Sequence, residues 1–371
     1  MSFDHTAAQN ELNAKTERIH HLLNQRGLDA LYLRRVSSFA WATCGADSHI
    51  NTAASEGGAS LLITPQNRYL LTNNIEAPRL EKEEKLVERG WELRVSDWGA
   101  EEKLLANLTS GMKIGADGSL PGAVDLSAEI AWLRSQLTDE ENQRFRALSY
   151  LCAEGMKEAI EAVRPGMTEY QLAGLLSHAV ESRGVQAIVN LIGTDERIFA
   201  YRHPLPTDKA LRRYAMLVLC GRKWGLVCSL TRLIHFGALP AEVRHKAEAV
   251  AQVDAAMIAA TRPGRTLGEV FGQARAAYSA AGFPDEWQRH HQGGVAGYEP
   301  REFTATPSST QPILNGQVFA WNPSITGVKS EDTILVGEQA NEVLTNMADW
   351  PAIEVPIGSQ LIKRPAILEK E

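Results

Sequence analysis

Hydrophobic and polar positions along the chain follow two periods, and the switch between them marks out the elements. From Leu211 to Phe236 the sequence reads LRRYAMLVLCGRKWGLVCSLTRLIHF. Two apolar runs, Met216–Cys220 and Leu226–Leu233, flank a short turn, which predicts a hairpin buried inside a domain. Alternation along its second strand puts Ser229, Thr231, Leu233 and His235 on one face.

The first third of the chain alternates more quickly. Residues 8–26 carry Leu12, Ile19, Leu22 and Leu23 at helical spacing, and Gly27 stops the helix. Short apolar runs predict strands at Ala30–Leu33, Ala59–Thr64, Tyr69–Thr72, Glu92–Val95 and Lys113–Gly115. Helices are predicted around Arg79–Arg89 and Glu101–Leu108. Such alternation is the pattern of an α/β domain, and it ends near Arg134–Leu137. Thr138 with Glu141 three residues on predicts a capping box. Phe145, Leu148, Leu151, Cys152, Met156, Ile160 and Val163 continue that helix until Pro165 forbids it.

A repeat follows. Arg164-Pro165-Gly166-Met167-Thr168 returns as Arg262-Pro263-Gly264-Arg265-Thr266, an offset of 98 residues (262 − 164). Each Thr opens a helix with a capping-box partner, Gln171 or Glu269, and each helix ends near a glycine, Gly184 or Gly282. The second half therefore reads as a duplicated unit of helix, turn, helix and strands.

Composition narrows the function classes. A chain of 371 residues with 44% apolar content suits two domains with separate cores. A net charge of −7 without a basic cluster gives no footprint for nucleic acid. No apolar run approaches a membrane span, and the N-terminal stretch lacks the apolar centre of a secretory signal. The cysteines Cys44, Cys152, Cys220 and Cys228 lack CxxC spacing. Reduced thiols in a soluble, cytoplasmic protein are the expectation.

LDALYL, EGGASLLIT and YLLTNNIE in the first half, then RPGMTE, HPLPTDKAL, SLTR and SEDTILV followed by EVLT, occur in an order that resembles the creatinase, aminopeptidase P and methionine aminopeptidase superfamily. The resemblance implies an α/β creatinase-type N-terminal domain over 1–136. It also implies an α+β pita-bread domain over 137–371, with an internal pseudo-twofold duplication, and a homodimer. The superfamily's peptidases bind two divalent metals through two Asp, one His and two Glu. Matched one at a time, those positions fall on Leu219, Ser229, Gly294, Asn322 and Glu331, of which Glu331 alone is kept. One carboxylate does not offset two divalent cations, so no metal and no cofactor are expected. His290 and His291, if neighbours on a strand, point to opposite faces and are not expected to grip one ion.

The resemblance places His203 where creatinase, the metal-free member, carries a histidine that moves protons during C–N hydrolysis. The alternative is a loop histidine that fixes the turn before Pro204. A family His-Glu pair falls on Arg301 and Glu302. Arg301 either clamps a substrate carboxylate or pairs with Glu302 or Glu299. Glu302 and Glu331 either orient His203 or hydrogen-bond backbone. His291, Gln292, Asn322, Ser229 and Arg202 are candidate substrate contacts, and Gly293, Gly294 and Gly297 allow close backbone approach. Cys220 and Cys228 read as buried thiols rather than nucleophiles. The expected function is a metal-independent, creatinase-like hydrolase of a C–N bond in a small polar, carboxylate-bearing substrate. One alternative is a non-catalytic small-molecule or peptide-binding protein on the same scaffold. Another is an Xaa-Pro-type peptidase with unusual ligands.

Overall fold

The computed structural model describes residues 5–371, with side chains from Ala8 onward. The chain divides into two compact units. Among the described residues, one unit runs to Arg134 and takes in Trp224–Leu226; the other holds Ser135–Lys223 and Val227–Glu371.

The first unit is built on a six-stranded sheet in the order Glu92–Ser96, Arg68–Asn73, Glu56–Ile63, Ala30–Arg35, Ile114–Ala116, Val124–Asp125. Ala30–Arg35 pairs antiparallel with Glu56–Ile63 and parallel with Ile114–Ala116. The helix expected over Arg79–Arg89 is confined to Ala77–Lys82, with Pro78 in its first turn, where proline is tolerated. Lys85 and Gly90 then take positive φ, which ends any helical continuation. A helix at Val36–Ala42 was not foreseen. All seven of its residues are buried, so it shows no polar face from which a helical period is read.

The second unit combines four long helices, Asp139–Ala162, Glu169–Glu181, Ala241–Ala260 and Leu267–Ala280, with two larger sheets and two two-stranded ones. One sheet runs Leu368–Lys370, Leu226–Phe236, Tyr214–Lys223, Gln186–Thr194. The other runs Phe303–Thr304, Gly293–Ala296, Val318–Trp321, Asp332–Leu335, Glu342–Val343. All eleven residues of Leu226–Phe236 are buried, as the continuous apolar run requires. One face of the hairpin packs on the helix Asp139–Ala162. An added Cβ on Gly221 would lie 2.5 Å from the Cys152 sulfur, so that approach needs glycine. Met216, Val218 and Leu233 join the core formed with Ala241–Ala260 and Leu267–Ala280. The sheets meet at an antiparallel bridge between Thr231 and Glu331. Beside it, Thr333 Oγ1 accepts from the Ser229 N–H at 2.9 Å and donates to the Ser229 carbonyl at 2.8 Å.

The duplication is visible in the hydrogen bonds. Thr138, Thr168 and Thr266 each form a complete capping box. The Gly166 N–H donates to Leu211 O at 2.8 Å, and the Leu211 N–H returns to Met167 O at 2.8 Å. The second copy repeats this with Gly264 to Ile313 O at 3.1 Å and Ile313 to Arg265 O at 2.7 Å. Gly166 and Gly264 both hold positive φ, +88° and +86°, which glycine adopts without a Cβ penalty. The copies diverge one residue past the cap. Glu169 is buried and accepts from the Thr194 and Thr207 N–H groups, whereas Leu267 enters the apolar core.

Candidate functional site

The site grows from the seam between the sheets. Glu331 lies two residues beyond Lys329, and both side chains are buried. One Glu331 oxygen accepts from Lys329 Nζ at 2.7 Å and from Thr231 Oγ1 at 2.5 Å; the other accepts from Arg301 Nη2 at 3.1 Å. Burial alone would push this carboxyl up. The Lys329 and Arg301 cations, with the hydrogen bonds from Lys329 and Thr231, outweigh burial and hold it at about 2. Two cations thus share one carboxylate in a nearly dry place.

Arg301 therefore pairs with Glu331 rather than with Glu302 or Glu299. Its Nη1 donates to Ser229 Oγ at 3.1 Å and to the Pro300 carbonyl at 2.6 Å, and its Nε is buried without a hydrogen-bond partner. Ser229 Oγ also lies 3.3 Å from Cys220 Sγ. Burial raises the Cys220 thiol to about 11, so it stays protonated and is no nucleophile at neutral pH.

Three histidines form the outer part of the site. His203 sits in the loop after the helix Glu196–Ala200; His290 and His291 sit between the 3-10 turn Glu286–Arg289 and the strand Gly293–Ala296. Because these two precede the strand, alternation does not separate them. Their ring centroids are 4.5 Å apart, and the expectation that they face opposite ways is corrected. His290 Nε2 lies 3.0 Å from His203 Nε2, and its Nδ1 lies 3.3 Å from Ser324 Oγ. His203 and His291 are exposed, His290 half-buried. Burial and then Lys329 lower the His203 pKa, against the opposing field of Glu331. Burial, Lys329 and the neighbouring imidazoles bring His290 down to about 2. Burial with Arg301 and Lys329 brings His291 to about 4. All three rings are neutral at pH 7.

The remaining candidates divide between the site and its scaffold. Gln292 is fully buried: its amide nitrogen donates to the Trp287 and His290 carbonyls at 3.2 and 2.6 Å, and its oxygen accepts from Tyr278 OH at 2.9 Å. It holds the histidine loop in place rather than facing a substrate. Arg202 pairs with Glu286 and donates to Thr326 Oγ1 at 3.0 Å, bracing the loop of His203. Glu302 accepts from the Tyr298 N–H at 2.9 Å, the backbone alternative foreseen for it. The hydrogen bond at the His203 ring is the one to His290, so Glu331 acts on His203 through its field and not as a direct orienter. Asn322 is buried, and its Oδ1 has no hydrogen-bond partner.

Two matched positions are closed by the backbone itself. A Cβ on Gly294 would lie 2.0 Å from the Phe303 carbonyl oxygen, which leaves no room for a side chain. Leu219 faces away from Ser229: the turn residues Trp224 and Gly225 both have positive φ, a two-residue hairpin turn that sets Cys220, not Leu219, beside Ser229. Sequence reasoning missed Lys329, although its two-residue spacing from Glu331 was the available signal. It also set His290 aside through the strand assumption.

The comparisons agree with this architecture. Residues 143–338 match the family described as Metallopeptidase family M24. An uncharacterized peptidase of Staphylococcus saprophyticus is 27% identical over 234 residues, 60% of this chain and 65% of that protein. The Xaa-Pro dipeptidase from Bacillus anthracis has the same fold at 17% identity, with TM-score 0.79 over 97% of this chain and all of that one. The N-terminal domain of FACT complex subunit SPT16 from chickpea gives TM-score 0.71 at 14% identity, over 92% and 97% of the two chains. The fold is an α/β creatinase-type N-terminal domain followed by an α+β pita-bread domain with internal duplication. With more than half of its residues inside the family match, the chain belongs to metallopeptidase family M24.

Proposed function

We propose that the protein hydrolyses a C–N bond in a small polar, carboxylate-bearing substrate without the two-metal centre of the superfamily's peptidases. The observation that carries this reading is the pairing of Glu331 with Lys329 and Arg301, at 2.7 and 3.1 Å. Side-chain cations stand where metal charge would otherwise neutralise that carboxylate. The donor set does not fit a pair of divalent cations. Such ions need several carboxylate oxygens, and the matched positions offer Ser229, Asn322, a Gly294 with no space for a side chain, and an already saturated Glu331. Four added positive charges beside two resident cations would be left uncompensated in a buried place.

The chemistry then falls to the histidines. A neutral imidazole accepts a proton near neutrality, which suits His203 to general base and then general acid work. His290, with its Nε2 at 3.0 Å, stays neutral and orients the His203 ring by this hydrogen bond. The excess of one cation over carboxylate at Lys329, Arg301 and Glu331 favours an anionic group on the substrate. The peptidase and Xaa-Pro dipeptidase names of similar proteins support an amide-type bond as the target class.

The test is a turnover screen of small peptides and other carboxylate-bearing C–N substrates with chelator-dialysed protein. Activity is expected to survive dialysis, and His203→Ala is expected to lower kcat by about a hundredfold or more without changing Tm. Activity lost on chelation and restored by Mn2+ or Co2+ would instead establish a conventional Xaa-Pro peptidase. The likeness to a FACT complex subunit favours a second reading, a binding protein on the same scaffold. A compound that raises Tm and is never converted would decide for it.

A further inference from the structure

The three imidazoles outside the Glu331 seam make a constellation that proton transfer alone does not require. His203, His290 and His291 each present a ring nitrogen, and these atoms all lie within 4.8 Å of one another. The shortest separation, His203 Nε2 to His290 Nε2, is 3.0 Å. A tetrahedral zinc ion with bonds of about 2.0 Å sets its ligand nitrogens about 3.3 Å apart, a spacing that falls within the 3.0 to 4.8 Å range of these atoms. We propose that His203, His290 and His291 form a binding site for one borderline transition cation, for which Zn2+ is the probe, separate from the carboxylate-based pair of the superfamily.

Four features support the site. Ser324 Oγ holds the Nδ1 side of His290 at 3.3 Å, as second partners of metal-ligating histidines do, and leaves Nε2 aimed at His203. Gln292, buried and bonded to the His290 carbonyl at 2.6 Å, fixes the loop that carries two of the three ligands. His203 and His291 are exposed, which gives an ion a direct path from solvent. A donor set of nitrogens alone selects Zn2+, Cu2+ or Ni2+ over Mn2+, Mg2+ or Ca2+. Lys329 and Arg301 oppose the ion electrostatically, but both are paired with Glu331, so the net opposing charge is one. The fourth position of a tetrahedral ion is left to water. Resting on the hydrolase reading, occupancy would also take the His203 lone pair and so inhibit turnover; binding itself does not depend on that reading.

The experiment titrates Zn2+ against a chromogenic chelator with full-length protein, then records X-ray absorption at the zinc edge. One equivalent is expected to bind, with nitrogen ligands at about 2.0 Å and no competition from Mn2+. His290→Ala and His291→Ala are each expected to weaken binding at least tenfold. His291 is exposed, so its variant tests the site even if His290→Ala folds poorly. The proposal is overturned by absent stoichiometric binding, by unchanged affinity in both variants, or by sulfur at about 2.3 Å, which would point to a cysteine. Because none of these readouts is turnover, a failed hydrolase reading and a failed zinc site remain distinct results.

Discussion

At the scale of single residues, the site is an account of one carboxylate and two cations. Glu331 was legible because SEDTILV keeps it. Its partners were less so: a two-residue spacing hints at Lys329, but that Arg301 also reaches the same carboxylate depends on the seam between two sheets. The physical consequence is testable. Removing the charge in Glu331→Gln leaves Lys329 and Arg301 buried and uncompensated, side chains that are 5% and 10% exposed. Breaking a buried pair from one side costs about 3–5 kcal/mol, and urea unfolding of Glu331→Gln is expected to show that loss. Lys329→Met should cost less, since Arg301 and Thr231 still serve the carboxylate. Equal stability of Glu331→Gln and the native protein would mean that the seam admits enough water to solvate both cations.

At the scale of elements, capping and turns were readable and loops were not. Thr138, Thr168 and Thr266 announce their helices because a cap is a local contract between residues three apart. The hairpin itself was readable but its register was not: the two-residue turn at Trp224-Gly225 places Cys220 opposite Ser229, one residue from the match at Leu219. By contrast, nothing local told that His290 and His291 precede the strand. The glycines were read as permissive, but Gly293 and Gly294 prove restrictive: an added Cβ would lie 2.1 Å from the Ala320 carbonyl oxygen at the first and 2.0 Å from the Phe303 carbonyl oxygen at the second. Gly294 pairs with Thr304 on one side and Ala320 on the other. A side chain there meets the Phe303 carbonyl, not open space. Restoring the superfamily's ligand with Gly294→His is therefore expected to destabilise the fold by about 3 kcal/mol, the upper end of overpacking costs, without conferring Mn2+ binding. Native stability together with bound Mn2+ would show that the strand reopens readily and that the centre is latent.

At the scale of the whole molecule, duplication supplied the frame and divergence supplied the site, and the charges of that site act on global stability. His290 and His291 have folded pKa values near 2 and 4, below the value of about 6.5 that they take when unfolded. For such groups the unfolded chain binds protons that the folded chain refuses. Stability is therefore intact above about pH 6.5 and falls as pH drops toward the folded values. Glu331, depressed by the cations beside it, adds a second loss at lower pH, as acid approaches its folded value of about 2. Asp254 works the other way: burial raises it despite Arg364, so its contribution is greatest in acid. A comparison of pH 7.5 with pH 5.5 reads the histidines through the difference between the native protein and a histidine variant, because Glu331 and Asp254 are common to both. In chelator-containing buffer, Tm is expected to fall over this range in the native protein, and to fall by less in His290→Asn, which has one fewer suppressed imidazole. An identical drop in both would mean that His290 takes up its proton in the folded state as readily as in the unfolded chain, and that burial and Lys329 do not suppress it.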